Sequence, residues 1–219
     1  MSQRQALRGN LYILSAPSGG GKTSLSRALL PWLAAHGIHA EISVSYTTRA
    51  PRTGETEGVH YHFVDAAEFQ RRVEAQDFLE YADVFGRRYG TGRQRTEALL
   101  EAGHDVILDI DWQGARQVRE QIDDVVSIFI LPPSAQELER RLRSRATDSD
   151  EIIAGRMAAA RAEMSHYAEY DHLIVNENFD RAVEQLGSVL LERRLRKDGQ
   201  IALHEQLIES LVASPDQKG

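Results

Sequence analysis

The stretch Leu11–Leu30, LYILSAPSGGGKTSLSRALL, passes from an apolar run through three glycines to a lysine and two hydroxyls, and then becomes apolar again. The phosphate-binding loop pattern is G-x-x-x-x-G-K-[ST]. Its second half is complete in Gly21, Lys22 and Thr23, while Ala16 replaces the first glycine. Leu11–Ser15 reads as a buried strand. From Thr23 to Leu33 the apolar residues Leu25, Leu29, Leu30 and Leu33 recur at helical spacing. A strand, a glycine turn and a helix start aim backbone N–H groups and the helix dipole at one point, where phosphate binds. A flexible turn would account for Gly19, Gly20 and Gly21, but not for Lys22 and Thr23 directly after them. Lysine supplies a charge for the β- and γ-phosphates, and threonine a hydroxyl for Mg²⁺. The loop therefore predicts a nucleoside triphosphate without saying what becomes of it.

The remaining composition narrows the partners. The chain has 219 residues, enough for one α/β core with insertions, and 42% of them are hydrophobic. A formal net charge of −7 argues against nucleic acid as the main partner. The absence of cysteine excludes disulfides, thiolate zinc sites and cysteine nucleophiles. The first ten residues are polar and lack the apolar core of a signal peptide, and no apolar run reaches membrane-spanning length. The expectation is a cytoplasmic protein with no membrane partner.

Leu11–Ser15, Val106–Ile110, Val125–Leu131 and Leu173–Val175 read as buried parallel strands, with a fifth at Ala40–Val44. Helical patterns alternate with them, which predicts an α/β fold: a parallel sheet covered by helices on both faces. Ser45–Thr91 breaks the rhythm. VHYHFVD alternates as a strand does, Ala66–Gln76 fits a short helix, and FLEYADVFGRRYGT holds two strand-like pieces. This is a mixed α/β insertion, large enough to have its own task. After Pro132-Pro133, Ser134 and Glu137 form an S-x-x-E capping box that starts a helix through ELERRLRSR. ATDSDE interrupts it, with Asp148 or Ser149 as the next cap, and the arginine-rich helix, break and helix make a candidate lid. The expected division is a core of residues 1–44, 92–138 and 160–219, an insertion of 45–91 and a lid of 139–159. The basic run LLERRLRKDGQ reads as a solvated helix face. Leu203–Val212 reads as a helix that either covers the core or pairs with another subunit, so a homo-oligomer is open.

Phosphoryl transfer asks the protein for metal, positioning and positive charge. In DIDWQG, Asp109 and Asp111 follow the Val106–Ile110 strand, at the edge where open α/β sheets bind ligands. Asp109 there can hold Mg²⁺, largely through water. Asp111 can face the ligand or simply cap the helix of Gln113–Arg119. In SVSYTTRAPRTGE, Arg49 and Arg52 are held apart by Pro51 and can clamp a monophosphate, although an R-x-x-R pair can equally be solvated surface. His60 and His62 can share one side of a strand, but no third ligand stands at a persuasive spacing, so no metal site is assigned to them.

The segments SAPSGGGKT, SVSYTTRAPRTGE, GVHYHFV, FLEYADVFGRRYGT, ILDIDWQGA, IFILPPS, RRLRSR and MSHYAEYDHLIVN occur in an order that closely resembles the bacterial guanylate kinases, over about Leu11 to Leu191. These are ATP-dependent nucleoside monophosphate kinases of the phosphate-loop class. Ala16 departs from the general loop consensus in a way that the family commonly tolerates. Tyr46 stands where relatives often carry histidine or serine, so it is kept out of the essential set. The resemblance implies ATP and GMP as substrates and Mg²⁺ as the cofactor bound with ATP. It implies an ATP site of Ala16, Pro17, Ser18, Gly19, Gly20, Gly21, Lys22, Thr23 and Ser24, with Asn176 against adenine and Thr23 and Asp109 toward the metal. It implies a GMP phosphate clamp of Arg49, Arg52, Tyr61 and Tyr89, and guanine readers Ser45, Glu80 and Thr91, with Asp111 beside them. Arg141, Arg145 and Arg156 become lid arginines that act with Lys22 and Arg49 on the transferring group.

Guanine chemistry supports the assignment of Glu80. N1–H and the 2-amino group lie side by side for an ionised carboxylate to accept, while O6 accepts from a hydroxyl such as that of Thr91. Adenine would leave Glu80 desolvated and unpaired, a mismatch able to support ~10⁴-fold discrimination. Two rivals remain. One is a guanylate-kinase-like protein-binding module that has lost catalysis, but such modules typically lose loop or lid residues that this chain keeps. The other is a kinase for a phosphorylated ribose, which would have no use for a guanine-reading set.

Overall fold

The computed structural model describes residues 8–84, 86–144 and 149–213. The run Leu11–Ser15 is a strand, β1, buried along its whole length, followed by the glycine loop and helix α1, Lys22–Ala35. In chain order come β2 (Ala40–Ile42), β3 (Tyr46–Thr47), β4 (His62–Phe63), α2 (Ala66–Glu74), β5 (Phe78–Val84), β6 (Arg87–Gly92), α3 (Arg93–Glu101), β7 (Asp105–Asp109) and α4 (Trp112–Gln121). Then follow β8 (Val125–Leu131), α5 (Ala135–Ser144), α6 (Asp150–Met164), a 3₁₀ turn (Tyr167–Glu169), β9 (His172–Val175), α7 (Phe179–Leu195) and α8 (Lys197–Val212).

Five strands form a parallel sheet in the order β2-β7-β1-β8-β9. These are the four strands expected from apolar runs and the added fifth, with small shifts at their ends; β9 was expected to be buried, but at the edge of the sheet its Leu173 and Val175 are exposed. The side-chain period of two splits β1 between two cores. Tyr12 and Leu14 pack with Leu25, Leu29 and Leu33 of α1 and with Val183, Leu186 and Leu190 of α7. Leu11 and Ile13 pack on the opposite face with Leu100 of α3 and with Ala115 and Val118 of α4. β1 lies at the centre; the chain passes from it to β2 at one edge, returns to β7 beside β1, and then crosses to β8 on the other side. The loop after β1 therefore opens at the switch point where such sheets bind ligands.

The region 46–92 builds a second sheet, β4-β3-β6-β5, on which α2 packs through Phe69. VHYHFVD contributes only the two residues of β4, because residues 58–60 form a turn closed by Gly58 N to Tyr61 O (2.9 Å) and His60 N to Thr56 O (3.1 Å). The two strand-like pieces in FLEYADVFGRRYGT are β5 and β6, an antiparallel pair in which Glu80 faces Thr91. α5 and α6 share a third apolar cluster of Leu138, Leu142, Ile153, Met157 and Ala160. The capping box is half-formed. Ser134 Oγ accepts from Glu137 N at 3.1 Å, but the Glu137 carboxylate turns to Arg140 and Arg141 instead of returning to residue 134. Ser149 is the cap of α6; Asp148 lies outside the described residues.

The C-terminal basic run is less solvated than its composition implied. Arg194 donates to both oxygens of Asp105 at 3.0 Å, and Asp105 is wholly buried and also accepts from Asn10 N. α8 has no buried residue, so it does not cover the core. No helix among the described residues is long and apolar enough to cross a membrane.

α1 and α7 approach closely because Gly187 leaves room for Trp32. A Cβ at Gly187 would stand 2.2 Å from Cζ3 of that indole. Gly187→Ala is expected to destabilise the fold by about 1–3 kcal/mol through overpacking. Urea unfolding should show a lower midpoint at unchanged slope.

Candidate active site

The loop after β1 acquires its shape from backbone that favours glycine: φ is +87° at Gly19 and +97° at Gly21. It faces a cleft of about 340 Å³ that also receives residues from the second sheet and from α6. Ala16, Pro17, Ser18, Gly19, Gly21, Lys22 and Thr23 line one side. Ser45, Tyr61, Glu80 and Tyr89 line another, and Asp109, Asp111 and Glu163 complete the wall. Gly20 is buried behind the loop, and Ser24 is exposed on the first turn of α1.

Lys22 reaches across to the end of β7. Its Nζ lies 2.5 Å from Asp109 Oδ1 and donates to Ile110 O at 3.1 Å. The spacing of DIDWQG has thus put a carboxylate beside the loop lysine. Asp111 is the N-cap of α4, accepting from Gln113 N and Gly114 N at 3.0 Å each, and it also lines the cleft. Asp111 therefore caps α4 and also borders the cleft.

Asn176 reaches the phosphate loop. It is buried, its amide donates to Gly20 O at 3.0 Å, and its backbone carbonyl accepts from Arg141 at 3.1 Å. One of its two amide N–H donors thus braces the phosphate loop, and the other N–H and the amide oxygen leave the expected adenine contact open.

Glu80 is 4% exposed and Thr91 is fully buried. Thr91 Oγ1 donates to Glu80 Oε1 at 2.6 Å. That uses the one hydroxyl hydrogen of Thr91, so here Thr91 supports the carboxylate, and donation to guanine O6 would require its hydroxyl to turn. Burial pushes the Glu80 carboxyl up to about 7; the Thr91 hydrogen bond opposes this shift, and the negative charge of Asp111 adds to it. The folded value lies above the ordinary one, so protonation favours the fold. Stability from this group is fully present below the ordinary value and is lost as the pH rises through about 7. A reader that must be ionised gives the opposite trend for ligand. kcat/KM for GMP is expected to fall toward tenfold per unit below about pH 7. The nucleotide phosphate also titrates near pH ~6, so the profile is measured beside that of Glu80→Gln. The component due to Glu80 is absent in the variant.

Arg49 sits over the Tyr61 ring, 5.3 Å from its centroid, and donates to both oxygens of Glu55 at 2.9 and 2.8 Å. This pairing holds the Glu55 carboxyl down at about 2. Tyr61 and Tyr89 meet edge to face at 5.9 Å. Arg52 is exposed, and its backbone N–H also donates to Glu55 at 2.7 Å. On the α5–α6 side, Arg141 bonds Glu137 and the Asn176 carbonyl, and Arg156 reaches Ser18 Oγ at 3.3 Å. Arg145 lies outside the described residues.

Two residues of this site escaped the sequence reading. Glu55 lies within the quoted SVSYTTRAPRTGE, three positions after Arg52, where a carboxylate amid arginines was its signal. Glu163 accepts from Ser18 N at 3.0 Å, and burial pushes its carboxyl up. Standing seven positions after Arg156, two turns along α6, it shares that residue's face, which was the available clue. His60 and His62 are engaged locally, His60 by Thr56 N and His62 by Glu57. No three His, Asp or Glu side chains among the described residues group as a metal cage.

A phosphate loop at the switch point of a parallel sheet, facing a second sheet with a buried carboxylate and an arginine, defines an α/β phosphate-loop protein with a paired-ligand cleft. The guanylate kinase family profile matches residues 8–193. The guanylate kinase of Salmonella choleraesuis (strain SC-B67) is 55% identical over 206 residues, covering 94% of this chain and 99% of the relative. That of Xanthomonas campestris pv. campestris (strain 8004) is 52% identical over the same length, covering 94% and 100%. The crystal structure of guanylate kinase from Anaplasma phagocytophilum superposes with a TM-score of 0.75 at 35% identity, covering 95% of this chain and 97% of that one. The chain belongs to the guanylate kinase family.

Proposed function

We propose that this cleft transfers the γ-phosphoryl group of ATP to GMP, and to dGMP, giving ADP and GDP and so supplying guanine nucleotides. The observation that carries the assignment is one cleft lined by both the phosphate loop with Lys22 and the buried Glu80 carboxylate. The first fits a nucleoside triphosphate, and the second fits a base with two adjacent donors.

The loop N–H groups and Lys22 hold the ATP phosphates. Arg49 and Arg52, with Tyr61 and Tyr89, hold the GMP phosphate. Glu55 and Ala50 O take three of the five N–H groups of Arg49 and hold it beside Tyr61, which leaves N–H donors for a phosphate. Ser45, Glu80 and Asp111 border the guanine, and Thr91 fixes Glu80. Arg141, Arg145 and Arg156 bring positive charge from the lid, with Asn176 tying Arg141 to the phosphate loop.

Oxygen donors at Thr23 and Asp109 fit Mg²⁺, and Lys22 beside Asp109 marks the place where ATP charge is met. When bound with ATP, the metal supplies charge neutralisation on the phosphates. The GMP phosphate is already ionised and nucleophilic, so no general base is required. The arginines and Lys22 reduce repulsion between two anionic substrates and stabilise the moving group. The transfer is direct: with ATP labelled in its γ-phosphate, the label is expected in the β-phosphate of GDP. Label retained covalently on the protein would contradict the mechanism. The protein-binding alternative would yield no labelled GDP.

A further inference from the structure

Gly114 lies in the first turn of α4, where helix geometry gives no reason for glycine. Its φ is outside the left-handed region, unlike those of Gly19 and Gly21, and alanine is the better helix former. The reason lies across the cleft wall. A Cβ built at Gly114 would stand 2.5 Å from Glu80 Oε2, 3.0 Å from its Cδ and 3.3 Å from its Cγ. These are the three nearest heavy atoms outside the helix's own backbone, and all belong to the Glu80 side chain. The N–H of Gly114 meanwhile donates to Asp111 Oδ1 at 3.0 Å. One residue thus adjoins two carboxylates of the cleft, binding one through its backbone and making room for the other by having no side chain.

We propose that Gly114 is a specificity-determining position, whose missing side chain keeps open the space in which the Glu80 carboxylate stands to read guanine. This rests on the assignment of Glu80 as the guanine reader. Glu80 is 4% exposed, and its Oε1 is bound to the wholly buried Thr91 at 2.6 Å. Glu80 and Thr91 are partners in the β5–β6 pairing, which runs on regularly through Tyr81–Val84 after a register shift between Phe78 and Glu80, so the backbone of Glu80 is held from its C-terminal side. A methyl at residue 114 therefore displaces the far end of the Glu80 side chain and leaves the sheet in place. Displacement breaks the alignment of one acceptor with N1–H and the other with the 2-amino group. The substitution acts on the base and not on the triphosphate, because the phosphate loop contributes none of the three atoms nearest to Gly114. Gly114 is a positioning residue that acts through Glu80.

The test is a cycle of Gly114→Ala, Glu80→Gln and the double variant, with Gly199→Ala in α8 as a control whose added Cβ meets only Arg194 O at 4.0 Å. Gly114→Ala is expected to lower kcat/KM for GMP by about tenfold, mainly through KM, with KM for ATP within about twofold of the parent. Preference for GMP over IMP, which lacks the 2-amino group, is expected to narrow. In the Glu80→Gln background the same substitution is expected to cost markedly less, since the paired carboxylate contact that it disturbs is already gone. An equal loss in both backgrounds would overturn the inference. So would unchanged GMP kinetics in Gly114→Ala while Glu80→Gln loses activity, a result that leaves the guanine reading intact. Unchanged GMP kinetics in Glu80→Gln would instead overturn the guanine reading and this inference with it. A Gly114→Ala protein that fails to fold, judged by its melting transition beside Gly199→Ala, would assign Gly114 to packing and also overturn it.

Discussion

Lys22→Ala is expected to lose about 10²–10³-fold in kcat, ~3–4 kcal/mol of transition-state stabilisation, while remaining folded. The lysine meets no apolar core. Its partners are the Asp109 carboxylate at 2.5 Å and the Ile110 carbonyl at 3.1 Å, both at the mouth of the cleft. Its charge acts on groups that become more negative as the phosphoryl group moves, and a shorter apolar side chain supplies nothing in its place. The substitution also leaves Asp109 without its cation. The variant is therefore measured over a range of Mg²⁺ concentrations, to separate weakened metal binding from lost stabilisation of transfer. Near-normal kcat with ATP in the folded variant would remove the phosphate-loop assignment.

Glu80→Gln is expected to lower kcat/KM for GMP by about 10²-fold or more, roughly 3 kcal/mol. The amide keeps the shape of the buried side chain but places a donor where guanine also donates, and the remaining bond loses its charge assistance. Thr91 can still donate to the amide oxygen, so the pairing at 2.6 Å has a replacement and the fold is retained. ATP binding is expected to change little, because the carboxylate lies on the second sheet and not on the loop after β1. Discrimination against AMP is expected to narrow, since the amide can donate to adenine N1. Small and parallel shifts for GMP and AMP would make Glu80 a mere buried partner of Thr91.

The parallel core was legible because each of its strands is a short apolar run bounded by turn residues, and because Leu25, Leu29 and Leu33 share one face of α1. The loop lysine and the DIDWQG carboxylates were legible as spacing at strand ends. The state of each side chain was not, because it depends on contacts between residues distant in sequence. Asn176 holds the loop from beneath because β9 ends next to Gly20, 156 positions away. Thr91 turns its hydroxyl to Glu80 because β5 and β6 pair in one particular register. The basic run at the end of α7 looked solvated because the partner of Arg194, Asp105, is 89 positions away. Gly114 carried no signal of its own, since only the position of Glu80 shows what its missing side chain makes room for.

ADP formation from ATP and Mg²⁺ with GMP, AMP, CMP, UMP or a ribose phosphate as acceptor is the most direct test of a guanine-reading kinase. GMP is expected to be the preferred acceptor, with kcat/KM for AMP lower by about 10⁴-fold, because adenine leaves the buried carboxylate of Glu80 unpaired. Comparable turnover with AMP or with the ribose phosphate, or no ADP above the rate without acceptor, would contradict it.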